Sequence, residues 1–231
     1  ILIITTPRDS SLFKELLGDG KKFGINISFA IQEKPEGLAQ AFLIGEKFLK
    51  NENVALILGD NLFYGNDLTN LLEKAYSQEE GATLFGYQVN DPERYGVMEF
   101  SRNNKVINIE EKPDNPKSNF AVTGLYFYDN KVVEHAKSLQ KSSRGEYEIT
   151  DLNKIYLEKG LLKAEIFGRG SAWFDTGTHD SLLEASNFIY SLEKRQTLKI
   201  GSPEEVAWRK GWISSQNLEK LSRQILKNNY G

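Results

Sequence analysis

Short apolar runs alternate along the chain with stretches whose apolar residues recur at helical spacing. Residues 1–5, ILIIT, closed by Pro7, read as a buried strand entering a turn. Over 9–17, Leu12, Phe13, Leu16 and Leu17 fall on one helical face, and Gly18 and Gly20 end it. Residues 25–31 read as a second strand, 38–49 as an amphipathic helix carrying Leu38, Ala41, Phe42, Gly45 and Phe48, and 54–58 as a buried run. Gly59, Asp60 and Asn61 then make a turn, after which Asp67 is placed to cap a helix bearing Leu68, Leu71, Leu72, Ala75 and Tyr76. Residues 82–87 form the next strand. Strands separated by such helices predict right-handed crossovers and a mostly parallel sheet covered on both faces.

The pattern changes after residue 90. Segments 96–100, 105–110 and 121–128 are strand-like and separated by polar turns, a helix follows Asp129, and another covers 149–159. Residues 161–167 and the region of Trp173 add β structure, and from about Thr178 onward the chain is helical in pieces broken near Gly201 and Gly211. The predicted class is α/β: a Rossmann-like, mostly parallel central sheet with a mixed β insertion and a helical C-terminal region. No composition shift marks a linker, so 1–231 is expected to be one domain with approximate subregions 1–90, 91–177 and 178–231.

Composition narrows the chemistry. With 29 basic and 32 acidic side chains there is no basic excess to bind nucleic acid. The absence of cysteine removes thiolate nucleophiles, zinc-thiolate clusters and disulfides, and two histidines cannot make a three-histidine metal site. No apolar run approaches the roughly 18 residues of a membrane span, and ILIIT is too short for a signal peptide. A cytoplasmic protein without a membrane partner is expected.

Several polar residues stand where chemistry is plausible. Asp60 follows the apolar run VALIL, at the carboxyl end of a strand, where open α/β sheets place ligands; it reads equally as a turn residue or helix cap. Asp175, between Trp173-Phe174 and Thr176-Gly177-Thr178, is a second acid leaving an apolar element, with capping as the bland alternative. Two carboxylates suit Mg²⁺ and leave octahedral positions for water and phosphate. Glu111 is placed to accept sugar hydroxyls and Lys112 to neutralise phosphate, unless both are solvated residues before the turn at Pro113. Arg144 reads as a forked phosphate ligand or a surface arginine. Gly96 either permits close ligand approach or serves an ordinary turn.

Seven motifs occur in order: GLAQAF at 37–42, LGDNLFYG at 58–65, NDPERYGV at 90–97, EEKP at 110–113, VTGLYFYD at 122–129, RGEYEITDLN at 144–153 and WFDTGTHDSLLEAS at 173–186. Their order and spacing closely resemble bacterial glucose-1-phosphate thymidylyltransferases across essentially the whole chain. The resemblance implies transfer from dTTP to glucose 1-phosphate, giving dTDP-glucose and pyrophosphate with Mg²⁺, in the synthesis of dTDP-rhamnose and other deoxysugar precursors. It implies metal-holding acids at Asp60 and Asp175, and a phosphate-facing Lys112. Sugar contacts fall on Asn61, Tyr95, Gly96, Glu111 and Val122, with Arg144 on the sugar phosphate, Gln32 and Gly37 at the base, and Trp173 beside the sugar-phosphate end. It also implies a homotetramer and a second nucleotide site for feedback by dTDP-rhamnose, at Tyr64, Gly65, Arg169, Glu205 and Ala207. A UTP-using sugar nucleotidyltransferase and an inactive sugar-nucleotide-binding fragment are the alternatives.

The family's opening strand and glycine-rich GGxGTR loop have no counterpart among the 19 glycines. The expectation is that family residues precede Ile1, that a shorter stretch follows the last residue, and that this polypeptide alone is inactive or poorly stable.

Overall fold

The computed structural model describes every residue except Gln224, Asn229 and Gly231. Two compact units emerge: residues 1–34 with 186–231, and residues 35–185. In the first, strand β1 (Leu2–Thr5), helix α1 (Ser10–Leu17) and strand β2 (Ser28–Ile31) lead the chain. β1 and β2 pair in parallel as a two-stranded sheet. The second unit runs through α2 (Gln40–Ile44), α3 (Glu46–Leu49), β3 (Val54–Ile57), β4 (Asn61–Tyr64), α4 (Leu68–Tyr76), β5 (Ala82–Gln88), β6 (Gly96–Phe100), β7 (Val106–Glu111) and β8 (Phe120–Tyr128). It continues with α5 (Val132–Ser138), α6 (Ile149–Glu158), β9 (Leu162–Ile166) and β10 (Ala172–Asp175). Helix α7 (His179–Gln196) starts in this unit and ends in the first, which also holds α8 (Pro203–Arg209) and α9 (Ser215–Ser222).

β8 is the middle of a six-stranded sheet. One of its edges pairs with β5 along most of its length, while the other takes β3 at Leu125–Tyr128 and β6 at Phe120 and Ala121. β7 follows β6, and β9 lies beside β5. The strands alternate their side chains between two apolar layers, as a two-residue period requires. Leu84, Tyr126 and Tyr128 join Met98, Ile109, Leu152 and Tyr156 on one side, while Phe85 and Leu125 meet Ala75 and Phe167 on the other. The sheet is therefore covered on both faces, as expected. Asp129, buried at the end of β8, is satisfied by Gly81 N–H (2.7 Å), Lys131 N–H (3.0 Å) and the Tyr156 hydroxyl (2.8 Å). Those bonds offset the cost of burying its carboxylate.

Several expectations are corrected. The α/β class stands, but the pairing is mixed rather than mostly parallel: β5–β9 and β1–β2 run parallel, and β3–β8, β5–β8, β6–β7, β6–β8 and β4–β10 run antiparallel. ILIIT is half-buried, with Ile1 63% exposed, because among the described strands β1 pairs with β2 alone. Leu12, Phe13 and Leu16 of α1 face outward. β3 alternates instead of being buried, since it pairs with β8 alone among the described strands and leaves Ile57 exposed. The helix expected over 38–49 breaks at Gly45, the poorest helix former in the run. Asp67 precedes α4 with no side-chain bond to the helix backbone; its carboxylate accepts from Asn70 Nδ2 instead (2.8 Å).

In the first unit Phe23, Ala207 and Ile213 form a small core with Leu17, Ile25, Leu218 and Leu221. Among the described residues no helix is long and apolar enough to cross a membrane.

Leu152, fully buried between sheet and helices, and Leu12, exposed on α1, give opposite outcomes on truncation. Leu152→Ala is expected to destabilise by about 2–5 kcal/mol and Leu12→Ala by about 0.5 kcal/mol or less. Urea unfolding of both variants measures the contrast, and equal losses would contradict the burial assigned to Leu152.

Candidate active site

β4 and β10 form an antiparallel ribbon that joins two segments distant in the chain. Its register sets Asn61 opposite Asp175, Leu62 opposite Phe174, Phe63 opposite Trp173 and Tyr64 opposite Ala172. Asp60 precedes the first strand and Asp175 ends the second, so both acids lie at one end of the ribbon. Thr176 fixes that end by donating its N–H (2.9 Å) and hydroxyl (2.8 Å) to the Asp60 carbonyl oxygen. Gly177 N–H donates to Asp175 Oδ1 (3.1 Å). A Cβ on Gly177 would stand 3.1 Å from Asp175 Oδ1 and 3.8 Å from Asp60 Oδ2, so the two carboxylates border one small space.

Asn61 connects these acids to the sheet. Its side-chain carbonyl accepts from Gly124 N–H (2.9 Å) and Trp173 Nε1–H (2.7 Å), which orients its Nδ2 to donate to Asp60 Oδ1 (2.8 Å). This close approach explains Gly124 in the middle of buried β8, because a Cβ there would lie 2.6 Å from the Asn61 amide. The sequence-based turn role of Asn61 is thereby corrected: it opens β4.

A cavity of about 200 Å³ opens in front of the acids. Asp60, Asn61, Tyr95, Gly96, Glu111, Lys112, Val122, Trp173 and Asp175, all singled out from sequence, line it. Glu111 accepts the Thr150 hydroxyl on Oε2. Lys112 leaves β7 with φ +44° and donates its backbone N–H to the Tyr95 carbonyl (3.0 Å). The Tyr95 ring meets Trp173 edge-on at 5.1 Å between centroids. Burial raises the Tyr95 and Tyr126 phenols above their ordinary value, keeping both as protonated donors at neutral pH. Leu38, Leu58, Arg94, Gly124, Tyr126, Ile149 and Thr150 complete the lining and were not anticipated as site residues. Gly124 carried a signal, as a glycine inside a strand pattern, and Arg94 sat unremarked within NDPERYGV.

The other expected positions lie elsewhere. Arg144 is outside the cavity lining, where its fork donates to Glu148 through Nε (3.0 Å) and an Nη (2.7 Å), with Glu146 and Glu111 at 3.6 and 3.7 Å. Gly37, at φ +99°, sits tight against the Tyr147 backbone, a conformation and approach suited to glycine. Gln32 belongs to the first unit and donates its backbone N–H to Thr5 (2.9 Å). Tyr64 and Gly65 occupy the ribbon end away from the acids, near Ser171, and Arg169 lies in the loop before β10. Glu205 pairs with Arg209 (2.7 Å) and Ala207 is fully buried, both in the first unit.

Asp60 and Asp175 supply hard oxygen donors around one space, a donor set that suits a divalent cation completed by water or substrate oxygens. Among the described residues no group of three or more His, Cys, Asp or Glu converges, so the protein offers two carboxylates and no closed cage.

A profile of the Nucleotidyl transferase family matches residues 1–191. Glucose-1-phosphate thymidylyltransferase of Neisseria meningitidis is 58% identical over 231 residues, covering 100% of this chain and 80% of the relative. The Xanthomonas campestris enzyme of the same name is 56% identical over the same span, covering 78% of that protein. The chain belongs to the glucose-1-phosphate thymidylyltransferase family of nucleotidyl transferases. A Bacillus anthracis crystal structure assigned to that family, in complex with a sucrose, matches with TM-score 0.77 and 39% identity over 88% of this chain and 78% of that one. A UDP-glucose pyrophosphorylase structure complexed with UDP-glucose shares the fold, with TM-score 0.69 and 24% identity over 82% of this chain and 80% of that one.

Because Asn61 fixes Asp60, Asn61→Ala is expected to lower nucleotidyl transfer by about 10- to 100-fold, the usual effect of losing a group that orients a ligand-holding carboxylate. Steady-state rates across a Mg²⁺ titration measure this, and an unchanged rate would remove Asn61 from the site. A second expectation concerns Glu148. Burial raises its carboxyl, but the bonds from Arg144 and Ser142 outweigh that and hold it below its ordinary value of 4.5. Such a group adds stability above the unfolded value, and the contribution disappears as pH falls through the folded value. The denaturant midpoint of Arg144→Gln should therefore trail that of the natural chain at pH 7 and converge with it below pH 4.5; an equal gap at both ends would refute the linkage.

Proposed function

We infer that this protein is a glucose-1-phosphate thymidylyltransferase, joining dTTP and α-D-glucose 1-phosphate into dTDP-glucose with release of pyrophosphate. The observation that carries the reading is the 58% identity running through all 231 residues to a curated enzyme of that activity. The paired acids and the adjoining cavity supply chemistry that fits it. An oxygen of the sugar phosphate attacks the α-phosphorus in line while pyrophosphate departs, so the protein's task is to align two anions and offset their charge. Asp60 and Asp175 would hold Mg²⁺, which when bound supplies positive charge at the phosphates. Lys112 adds a mobile cation at the cavity wall, and Glu111, one oxygen held by Thr150, presents the other to sugar hydroxyls. Asn61 and Gly96 contribute polar backbone and amide groups beside it, Tyr95 and Trp173 give the sugar an aromatic wall, and Val122 closes the floor.

The same reading assigns Gln32 and Gly37 to the base and Arg144 to the sugar phosphate, on family resemblance. It also carries a cytoplasmic place of action and a role in dTDP-rhamnose and surface-polysaccharide precursor synthesis. A homotetramer has the family resemblance as its support. Feedback by dTDP-rhamnose at Tyr64, Gly65, Arg169, Glu205 and Ala207 has the resemblance as its support.

Product formation from dTTP and glucose 1-phosphate tests the activity, and its absence in a protein that carries the family's GGxGTR loop would overturn it. Asp175→Asn should reduce Mg²⁺-dependent turnover by roughly 100-fold or more with little change in thermal stability. An unaltered rate and metal response would remove Asp175 from the chemistry. UTP in place of dTTP should cost about 10- to 200-fold in kcat/KM, the range of a single methyl contact.

A further inference from the structure

Two arginines stand near the cavity, and they differ in what already occupies them. Arg144 is committed to carboxylates on its fork face and lies outside the lining. Arg94 lines the cavity in company with Lys112 and Asp175. It ends the short 3₁₀ turn Pro92–Arg94, directly before Tyr95 and β6. Its guanidinium lies 5.3 Å from the centroid of the Tyr95 ring, and a single donor, Nη1, bonds Asp91 Oδ2 at 2.9 Å. A guanidinium carries five N–H donors, so four remain for a ligand. The Tyr95 face and the Asp91 carboxylate fix its plane from two sides, which lowers the entropy lost when a further anion binds. Tyr95 is in turn buttressed by Trp173 and tied through its carbonyl to the Lys112 backbone. The positions of both cations therefore depend on the same residue.

We propose that Arg94 is an anion-binding residue of this cavity, taking a substrate phosphate through its free guanidinium donors opposite the Lys112 side chain. The proposal rests on the nucleotidyl transfer reading given above. A phosphate monoester and the phosphates of a nucleoside triphosphate share the required chemistry, a tetrahedral anion with several acceptor oxygens. Asp175 lines the same cavity, so acid and cation border it together.

Calorimetric titration of the natural protein, Arg94→Gln and Arg94→Lys with glucose 1-phosphate, dTTP and unphosphorylated glucose tests this. Arg94→Gln should weaken at least one phosphorylated ligand by about tenfold while leaving glucose unchanged. Loss on glucose 1-phosphate identifies the sugar phosphate as the anion, and loss on dTTP identifies the nucleotide. Arg94→Lys should retain part of the affinity, since it keeps the charge without the fork, and it carries the test if the glutamine variant fails to fold. Unchanged affinity for both phosphorylated ligands would overturn the proposal while leaving the functional reading intact. Equal loss for glucose and the phosphorylated ligands would also overturn it, assigning Arg94 to the shape of the turn. Failure of the natural protein to bind either phosphorylated ligand would overturn the functional reading itself, and the Arg94 role with it.

Discussion

The antiparallel register of β4 on β10 is the constraint on which the site depends. Two carboxylates from opposite halves of the chain repel when brought to one space, so something other than their own interaction must hold them. The ribbon does this with backbone bonds. A one-residue slip would turn Asp175 to the opposite face and replace it with a neighbour. Thr176 guards against the slip by placing two donors on the Asp60 carbonyl at the point where β10 ends. The acids are thus positioned by main-chain geometry in the protein alone.

β8 makes the ribbon part of a larger body. Val122, Gly124 and Tyr126, spaced by two along this strand, all line the cavity. The intervening Leu125 faces the other layer with Phe85 and Phe167. Gly124 is the gap in the row, and the Asn61 amide fills it. Through that amide the most buried strand of the sheet is bonded to Asp60, while Trp173 reports the position of β10 to the same oxygen. Core packing and site geometry therefore converge on Asn61, whose side chain satisfies three polar partners that would otherwise compete with water.

Much of the element order was legible because each segment carries its own period. Strands β5 to β9 lie within a residue or two of their expected places, and the C-terminal region is helical in pieces broken around Gly201 and Gly211. What escaped depends on partners distant in sequence. Strand direction belongs to a pair rather than a strand, so helix-strand alternation overestimated parallel pairing. The stripe on α1 showed that Leu12, Phe13 and Leu16 share a face, but a stripe holds no information about what covers it. At the site, Asp60 and Asp175 each carried a ligand reading beside a turn or capping one, and it was the family resemblance that placed them together. Arg144 and Arg94 illustrate the same limit, since which guanidinium is sequestered depends on where Glu148, Glu111 and Asp91 come to rest.

Lys112 shows how the surroundings enforce a conformation that the residue would not choose. Its φ of +44° places a side chain with a Cβ in the left-handed region, at a cost of about 1–2 kcal/mol. Pro113 follows and disfavours the right-handed alternative at this position. The Lys112 N–H is then captured by the Tyr95 carbonyl, whose own ring is wedged against Trp173. That bond and the following proline together oppose relaxation of the lysine into the right-handed region. Strain that survives only because neighbours over-determine it is concentrated where geometry matters more than stability. Here it sits on Lys112, which shares the cavity lining with the paired acids, so the Tyr95 contact and Pro113 together keep this lysine at the cavity.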